Sequence, residues 1–346
     1  MKIPETQKAA VIRQGRGLSF EITTVPVPEL GPTDLLVKLS ATGICGTDLA
    51  LASGKLGPCC RILGHEGIGR VVKIGVGLRE GSVKIGDRVG VSWVRDSCAE
   101  CVMCLHGEET RCVKQIHSGR VVDGTLAQYT VVPFRHLICL PEGLPDEQLA
   151  PIMCAGVTAY KALKICGAVP GQWVAISGAG GGVGAMAIQY AHAMGYRVLA
   201  IDAGEQKSGY CLRLQAEAYV NVLEHQNIGS VVNDITGNQG AAAVLVAAGS
   251  AQAYEDAFGM LAAFGTLVCI GIPAPSQRVM FHPLNFIDKG IRVIGSMVGS
   301  RGDMNEAFQF VQRRLVIPEV QTIGMDDLPS LDSLFTSHQV SPLPHL

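Results

Sequence analysis

Four cysteines in the spacing Cys98-x2-Cys101-x2-Cys104-x7-Cys112 carry the most specific chemistry in this chain. Two-residue gaps let successive thiolates point into one small volume, and a returning loop brings the fourth round to close a tetrahedron. Four thiolates fill the shell of a zinc ion and leave no position for water or substrate, so such an ion organises a loop. The segment has little apolar content of its own, and metal binding would supply its folding energy. An iron–sulfur cluster or unpaired thiols are the alternatives; the polar intervening residues favour zinc.

A second set is dispersed along the chain: Cys45 in Gly-Ile-Cys-Gly-Thr-Asp, His65 in Gly-His-Glu-Gly-Ile-Gly, and Cys154 in Pro-Ile-Met-Cys-Ala-Gly. Two thiolates and one imidazole leave a fourth position open, the pattern of a working zinc. A hydroxyl bound there would lose its proton near neutral pH. Each residue alone is a weak signal, and a histidine beside glycine is often a turn residue. Glycines on both sides of His65-Glu66 permit a tight backbone approach and strengthen the set. Cys59, Cys60, Cys139, Cys166, Cys211 and Cys269 show no ligand spacing, and most of them read as buried apolar packing.

A third cluster suits a nucleotide. Residues 178–184, Gly-Ala-Gly-Gly-Gly-Val-Gly, follow a short apolar strand and open a helix whose backbone N–H groups can hold a pyrophosphate. The strict Gly-x-Gly-x-x-Gly pattern fails, because Val183 stands where its last glycine would be. Asp202 ends the next strand, eighteen residues after Gly184. A carboxylate there accepts both ribose hydroxyls and repels a 2′-phosphate, which favours NAD over NADP.

The elements that must position these groups follow from texture. The first 150 or so residues are rich in Val, Ile, Gly and Pro, with short alternating runs from Asp34 and Gly86, and predict an all-β region with many turns. After Ala155, strands at Trp173-Val-Ala-Ile-Ser and Arg197-Val-Leu-Ala-Ile-Asp flank a helix over 184–194. Ala243-Val-Leu-Val-Ala, Gly265-Thr-Leu-Val-Cys-Ile-Gly and Ile291-Arg-Val-Ile-Gly-Ser read as further interior parallel strands. This alternation indicates a doubly wound α/β sheet. The tail from Ser330 reads as neither strand nor helix.

Composition bounds the partners. The 346 residues, 48% hydrophobic and 17% charged, suffice for two domains with cores of their own. A net charge of −2 offers no footprint for nucleic acid or an anionic membrane. Residues 1–10 lack a signal-peptide core, and the longest apolar run, 241–249, is far below the ~20 residues of a membrane span. A cytoplasmic location is expected, where clustered thiols usually mean metal rather than disulfides.

These phrases, with Cys-Ala-Gly-Val-Thr-Ala-Tyr-Lys-Ala-Leu and Trp-Val-Ala-Ile-Ser-Gly-Ala, resemble the zinc-containing medium-chain alcohol dehydrogenases, most closely the yeast and fungal branch, over about residues 9–329. The resemblance implies a GroES-like catalytic domain over 1–155, a Rossmann domain over 156–295, and a return to the first domain over 296–346. It implies two zinc ions per chain: a catalytic one on Cys45, His65 and Cys154 with Glu66 as an alternative ligand, and a structural one on the four clustered cysteines. Thr47 would bond the substrate oxygen and start a proton relay. Asp48 would orient His65, with helix capping as its alternative role. Gly178, Gly181 and Gly184 match the branch's variant of the phosphate loop that also holds Gly182 and Val183. Lys207 matches a residue near the adenosine ribose, although a solvated lysine is nearly as good a reading. Ile270, Ile272, Met297 and Val298 correspond to segments lining the nicotinamide.

Departures from the family shape the expected activity. The relay usually continues to a histidine three residues after the threonine, where this chain has Ala50; a phosphate-contacting histidine is Gly46. The segment between Cys45 and His65 is shortened, Leu56 stands nearest the place of a lost tryptophan, and Trp93 remains. A pocket for something bulkier than ethanol is expected. The family's closing Gly-Arg phrase is absent after Pro329, which predicts a missing strand and a missing phosphate contact. The expected reaction is reversible hydride transfer between a primary or secondary alcohol and NAD, by a homo-oligomer (dimer or tetramer) joined through its Rossmann domains. The alternatives are an aldehyde reductase working mainly in reverse and a non-catalytic NAD- and zinc-binding homologue.

Overall fold

The structure, a computed structural model, describes residues 2–13, 19–79 and 81–330. The chain forms two compact units. One comprises Met1–Cys154, Ser300–Phe308 and the described residues from Pro318 onward; the other comprises Ala155–Gly299 and Gln309–Ile317.

In the first unit, β1 (Thr6–Ile12) and β2 (Phe20–Pro26) pair antiparallel. Then follow β3 (Asp34–Thr42), β4 (Gly67–Ile74), β5 (Arg88–Val91), β6 (Val94–Asp96), β7 (Ile116–His117), β8 (Tyr129–Pro133) and β9 (Ile138–Cys139). Five of them form an antiparallel sheet in the order β8-β3-β4-β5-β9, while β6 and β7 make a small ladder of their own. Alternation in β3 and β4 turns Leu35, Val37 and Val71 inward onto Val83, Val89, Val91 and Val132. Each side chain fully buried in this way contributes roughly 1.5–3 kcal/mol. The core holds the sheet rigid, and the metal-ligand candidates lie on turns and short helices at its ends.

The second unit is a six-stranded parallel sheet. Its strands are β10 (Trp173–Ser177), β11 (Arg197–Asp202), β12 (Ala218–Asn221), β13 (Ala241–Val246), β14 (Leu261–Cys269) and β15 (Arg292–Gly295), in the order β12-β11-β10-β13-β14-β15. Order reverses between β10 and β13, and the crevice outside the carboxyl ends of strands at such a point is where these folds bind ligands. β10 and β13 are buried throughout or nearly so, as their continuous apolar runs require.

One expectation needs correction. The run from Ile291 is not an interior strand: β15 closes the sheet as an edge, and Val293 is 44% exposed. The apolar run does form a parallel strand on β14, but residue pattern does not distinguish a strand paired on both flanks from one paired on a single flank. The tail after Ser330 lies outside the described residues.

Candidate active site

The helix Gly46–Ala52 begins at Cys45, whose extended backbone (φ −123°) makes it the cap. The Thr47 N–H donates to Cys45 Sγ at 3.2 Å, and the helix N-terminus favours a thiolate there. Asp48, three residues into the capped turn, accepts the Cys45 N–H through Oδ2 at 3.0 Å. Its other oxygen accepts the Gly64 N–H at 2.9 Å and stands 3.3 Å from His65 Nδ1. Asp48 thus caps the helix, and its carboxylate stands beside the His65 ring, where the orienting role expected of it would act. One carboxylate ties the helix to the turn that carries the imidazole.

Gly64 has φ +95°, and a Cβ there would crowd Thr125 Oγ1 at 2.6 Å. Only glycine lets the chain turn so tightly against Thr125 and deliver His65 and Glu66 into the interior. Both are fully buried, as is Asp48. His65 Nε2 lies 3.0 Å from Cys45 Sγ. Cys154, 9% exposed, follows the short helical turn Ala150–Met153. One ligand atom from each of Cys45, His65, Glu66 and Cys154 lies within 4.8 Å of the others. Sulfurs and nitrogens on one tetrahedral zinc stand roughly 3.5–3.8 Å apart, so this donor set fits that ion.

Electrostatics point the same way. A hydrogen bond from Cys154 holds the Cys45 thiol well below its ordinary range against the opposing effect of burial, with help from the His65 charge. That same bond, with burial, pushes Cys154 well up. Burial alone would lower His65, but Cys45 and Asp48 raise it well above the usual imidazole value. A divalent cation held by these groups would take the place of their protons.

Beside the histidine, Trp93 presents a ring at 5.3 Å in edge contact with His65, and His117 stacks on the far side of this contact chain at 4.5 Å from Trp93. Sequence reasoning did not single out His117. No spacing rule reaches it, since only the pairing of β6 with β7 brings it to Trp93.

The second metal site is a closed loop. Cys98, Cys101, Cys104 and Cys112 also have ligand atoms within 4.8 Å of one another. Backbone N–H groups of Glu100 and Cys101 bring the Cys98 thiol down to about 6, whereas burial takes Cys112 up to about 11. Val102, Leu105 and Val113 of this lobe are exposed, so the loop has almost no core. A shared ion is the organising contact available to it.

In the second unit, Gly178 (φ +79°) follows the end of β10, and the helix Gly182–Ala193 opens with Gly181 as its cap. Gly184 packs so closely on the Gly178 carbonyl that any Cβ would collide with it. The run through Gly182 and Val183 therefore turns backbone N–H groups outward at a helix N-terminus. Asp202 closes β11, accepting the Gly180 N–H and the Lys207 Nζ, each at 2.7 Å. Lys207 is thus a paired, mostly covered lysine rather than a solvated one. Ile270 and Ile272 follow β14, and Met297 and Val298 follow β15, its neighbour. All four stand at the carboxyl side of adjacent parallel strands.

Such a sheet and turn, joined in one chain to a closed and an open thiolate site, define a zinc-dependent nicotinamide dehydrogenase class. The zinc-binding dehydrogenase family matches residues 182–313, and the alcohol dehydrogenase GroES-like domain matches residues 31–142. An alcohol dehydrogenase of Geobacillus stearothermophilus is 39% identical over 324 residues, 93% of each chain. One from Schizosaccharomyces pombe is 38% identical over 345 residues, covering 99% of this chain and 97% of its own. Among solved structures, that of AibC has a TM-score of 0.89 at 25% identity, covering 98% of this chain and 94% of its own. The chain belongs to the zinc-containing medium-chain alcohol dehydrogenases, oxidoreductases acting on CH–OH donors.

Proposed function

We propose that this chain reversibly oxidises a primary or secondary alcohol bulkier than ethanol, with NAD as the hydride acceptor. The convergence of Cys45, His65 and Cys154 on one buried point carries the reading. Zinc bound there supplies a Lewis acid that brings an alcohol oxygen's pKa towards neutrality, and bound nicotinamide supplies the hydride acceptor. The residues do the rest. Asp48 fixes the His65 ring, and Glu66, buried beside it, is an alternative ligand. Thr47, half-buried in the first turn, offers its hydroxyl to the substrate oxygen as the first proton acceptor. Trp93 walls the space next to His65. Ala50 cannot carry the proton onward, so water must take it. That gap slows proton exchange in both directions, since oxidation and reduction share one path, and alters the pH dependence of turnover.

The glycine turn at 178–184 would hold the pyrophosphate. Asp202 would accept the adenosine ribose hydroxyls with Lys207 beside it, and the segments after β14 and β15 would face the nicotinamide. A carboxylate in that place supports NAD over NADP. Edge strand β15 and its surroundings, with Met280, Phe281, Leu284, Ile287 and Val293 all at least 44% exposed, supply an apolar strip suited to a second copy of the chain. Light scattering on the purified protein would show a dimer or tetramer. Cysteines committed to metal clusters and to the core, such as Cys166 and Cys211, suit a reducing cytoplasm. Metal analysis together with NAD- and NADP-linked screening of bulky alcohols and aldehydes tests the whole reading. Two zincs with no turnover of any of them would leave a binding protein instead.

A further inference from the structure

Asp48 bonds the two elements that carry Cys45 and His65, but the third ligand candidate, Cys154, arrives on a segment of its own. That segment leaves β9 and passes through a short helix, Asp146–Leu149, and the turn Ala150–Met153. A working site needs its groups held within roughly 0.5 Å of their productive geometry, so this segment needs an anchor as firm as Asp48.

Strand β5 supplies two. It lies between β4 and β9, and all four of its residues are buried. Arg88, its first residue, is 7% exposed. Its Nη1 donates to the Pro141 carbonyl at 2.7 Å, its Nη2 to the Leu144 carbonyl at 2.6 Å, and its Nε to Asp146 Oδ1 at 2.8 Å. Nη2 also meets Asp146 Oδ1, and Ser40 Oγ of β3 donates to Asp146 Oδ2. A planar guanidinium can hold two carbonyls and a carboxylate at once, which the point charge of a lysine cannot.

Gly90, two residues along β5 and on the same face, is the second anchor. A Cβ there would stand 2.5 Å from Met153 Cε and 2.7 Å from its sulfur, so the thioether fills the space a side chain would take. Met153 is fully buried and immediately precedes Cys154. The path from Pro141 to Met153 is therefore gripped near both ends by one strand. That strand pairs with β4, which begins one residue after Glu66, with Gly67 opposite Val91. The turn carrying His65 and the approach to Cys154 thus share one rigid ladder.

Resting on the alcohol dehydrogenase reading, we infer that Arg88 is a positioning residue for the open metal site, acting with Asp146 through the 141–153 segment to hold Cys154 on the ion shared with Cys45 and His65. Among the described residues, neither Arg88 nor Asp146 bonds any member of the four-cysteine loop, so the two ions should respond differently to their loss.

The test is chelator competition on the zinc-loaded wild-type chain, Arg88→Gln and Asp146→Asn, with the melting temperature and alcohol turnover measured beside it. Arg88→Gln removes the charge and the fork and should weaken one ion about tenfold, leaving the other as in the wild type. Asp146→Asn keeps both carbonyl bonds and should weaken the same ion about threefold. In a Cys45→Ala background the effect of Arg88→Gln should vanish, which identifies the weakened ion as that of the open site; its persistence there overturns the inference. Equal weakening of both ions, or two unweakened ions beside a lower melting temperature, makes Arg88 a structural residue and overturns it too. Should Arg88→Gln fail to fold, Asp146→Asn decides: loss confined to one ion supports the inference, and retention equal to the wild type's overturns it. A wild type with two ions and alcohol turnover keeps the alcohol dehydrogenase reading whatever the variants do; one that holds no ion at the open site removes both.

Discussion

Oδ1 of Asp48 stands 3.3 Å from Nδ1 of His65, with neither side chain exposed to solvent. The same carboxylate accepts the N–H of Cys45, so two ligand candidates separated by twenty residues share one support. Asp48→Asn keeps the shape but offers an amide in place of a charged acceptor. Loss of such a support typically weakens metal affinity 10- to 100-fold. Chelator competition followed by zinc analysis should show one weakened ion per chain and one unaffected. Equal retention of both would mean that Asp48 is only a cap.

The lobe of Cys98, Cys101, Cys104 and Cys112 depends on its ion for order, because its apolar side chains lie outside. Cys104→Ala should remove one zinc and lower the melting temperature by about 10 °C or more, a loss of several kcal/mol. Calorimetry with metal analysis checks both. Zinc loss with an unchanged melting point would make the site adventitious.

Asp202 is held between the Gly180 N–H and Lys207. Asp202→Ser removes the charge that opposes a 2′-phosphate and leaves Lys207 free to attract one. The NAD-to-NADP ratio of kcat/KM should fall at least tenfold, read from initial rates with both cofactors. An unchanged ratio would place cofactor selection elsewhere.

His136 is buried at 4% exposure, with Nε2 2.9 Å from Ser97 Oγ, and burial with Arg301 nearby lowers its pKa to about 4. Its ordinary value is 6.5, so between these values the unfolded chain binds the proton and the folded one does not. The stability tied to neutral His136 is complete above about pH 6.5 and is lost as pH falls from there through about 4. Denaturant titration should show about 1–2 kcal/mol less stability from this group at pH 5 than at pH 7, and a flatter profile in His136→Gln. Identical profiles would contradict the assignment.

Short-range chemistry was legible in the sequence. The four-cysteine loop, the glycine turn after β10 and Asp202 at the end of β11 are local patterns whose geometry follows from spacing. The open metal site was a weaker signal, legible from residue types and strengthened by family likeness, because Cys45, His65 and Cys154 lie far apart along the chain. Two features escaped. β15 has the apolar run of an interior strand but forms an edge, since pattern does not count neighbours. His117 reaches Trp93 through the β6–β7 pairing, for which the intervening zinc loop leaves no periodic signal.

Cys45 is the ligand candidate most open to a direct test, being both the helix cap and a thiol whose pKa its neighbours hold down. Zinc content, circular dichroism and alcohol turnover measured together on Cys45→Ala address the open site itself. The expected result is one zinc per chain instead of two, a native spectrum and no detectable turnover. Two tightly held zincs, or turnover at the wild-type rate, would contradict the account.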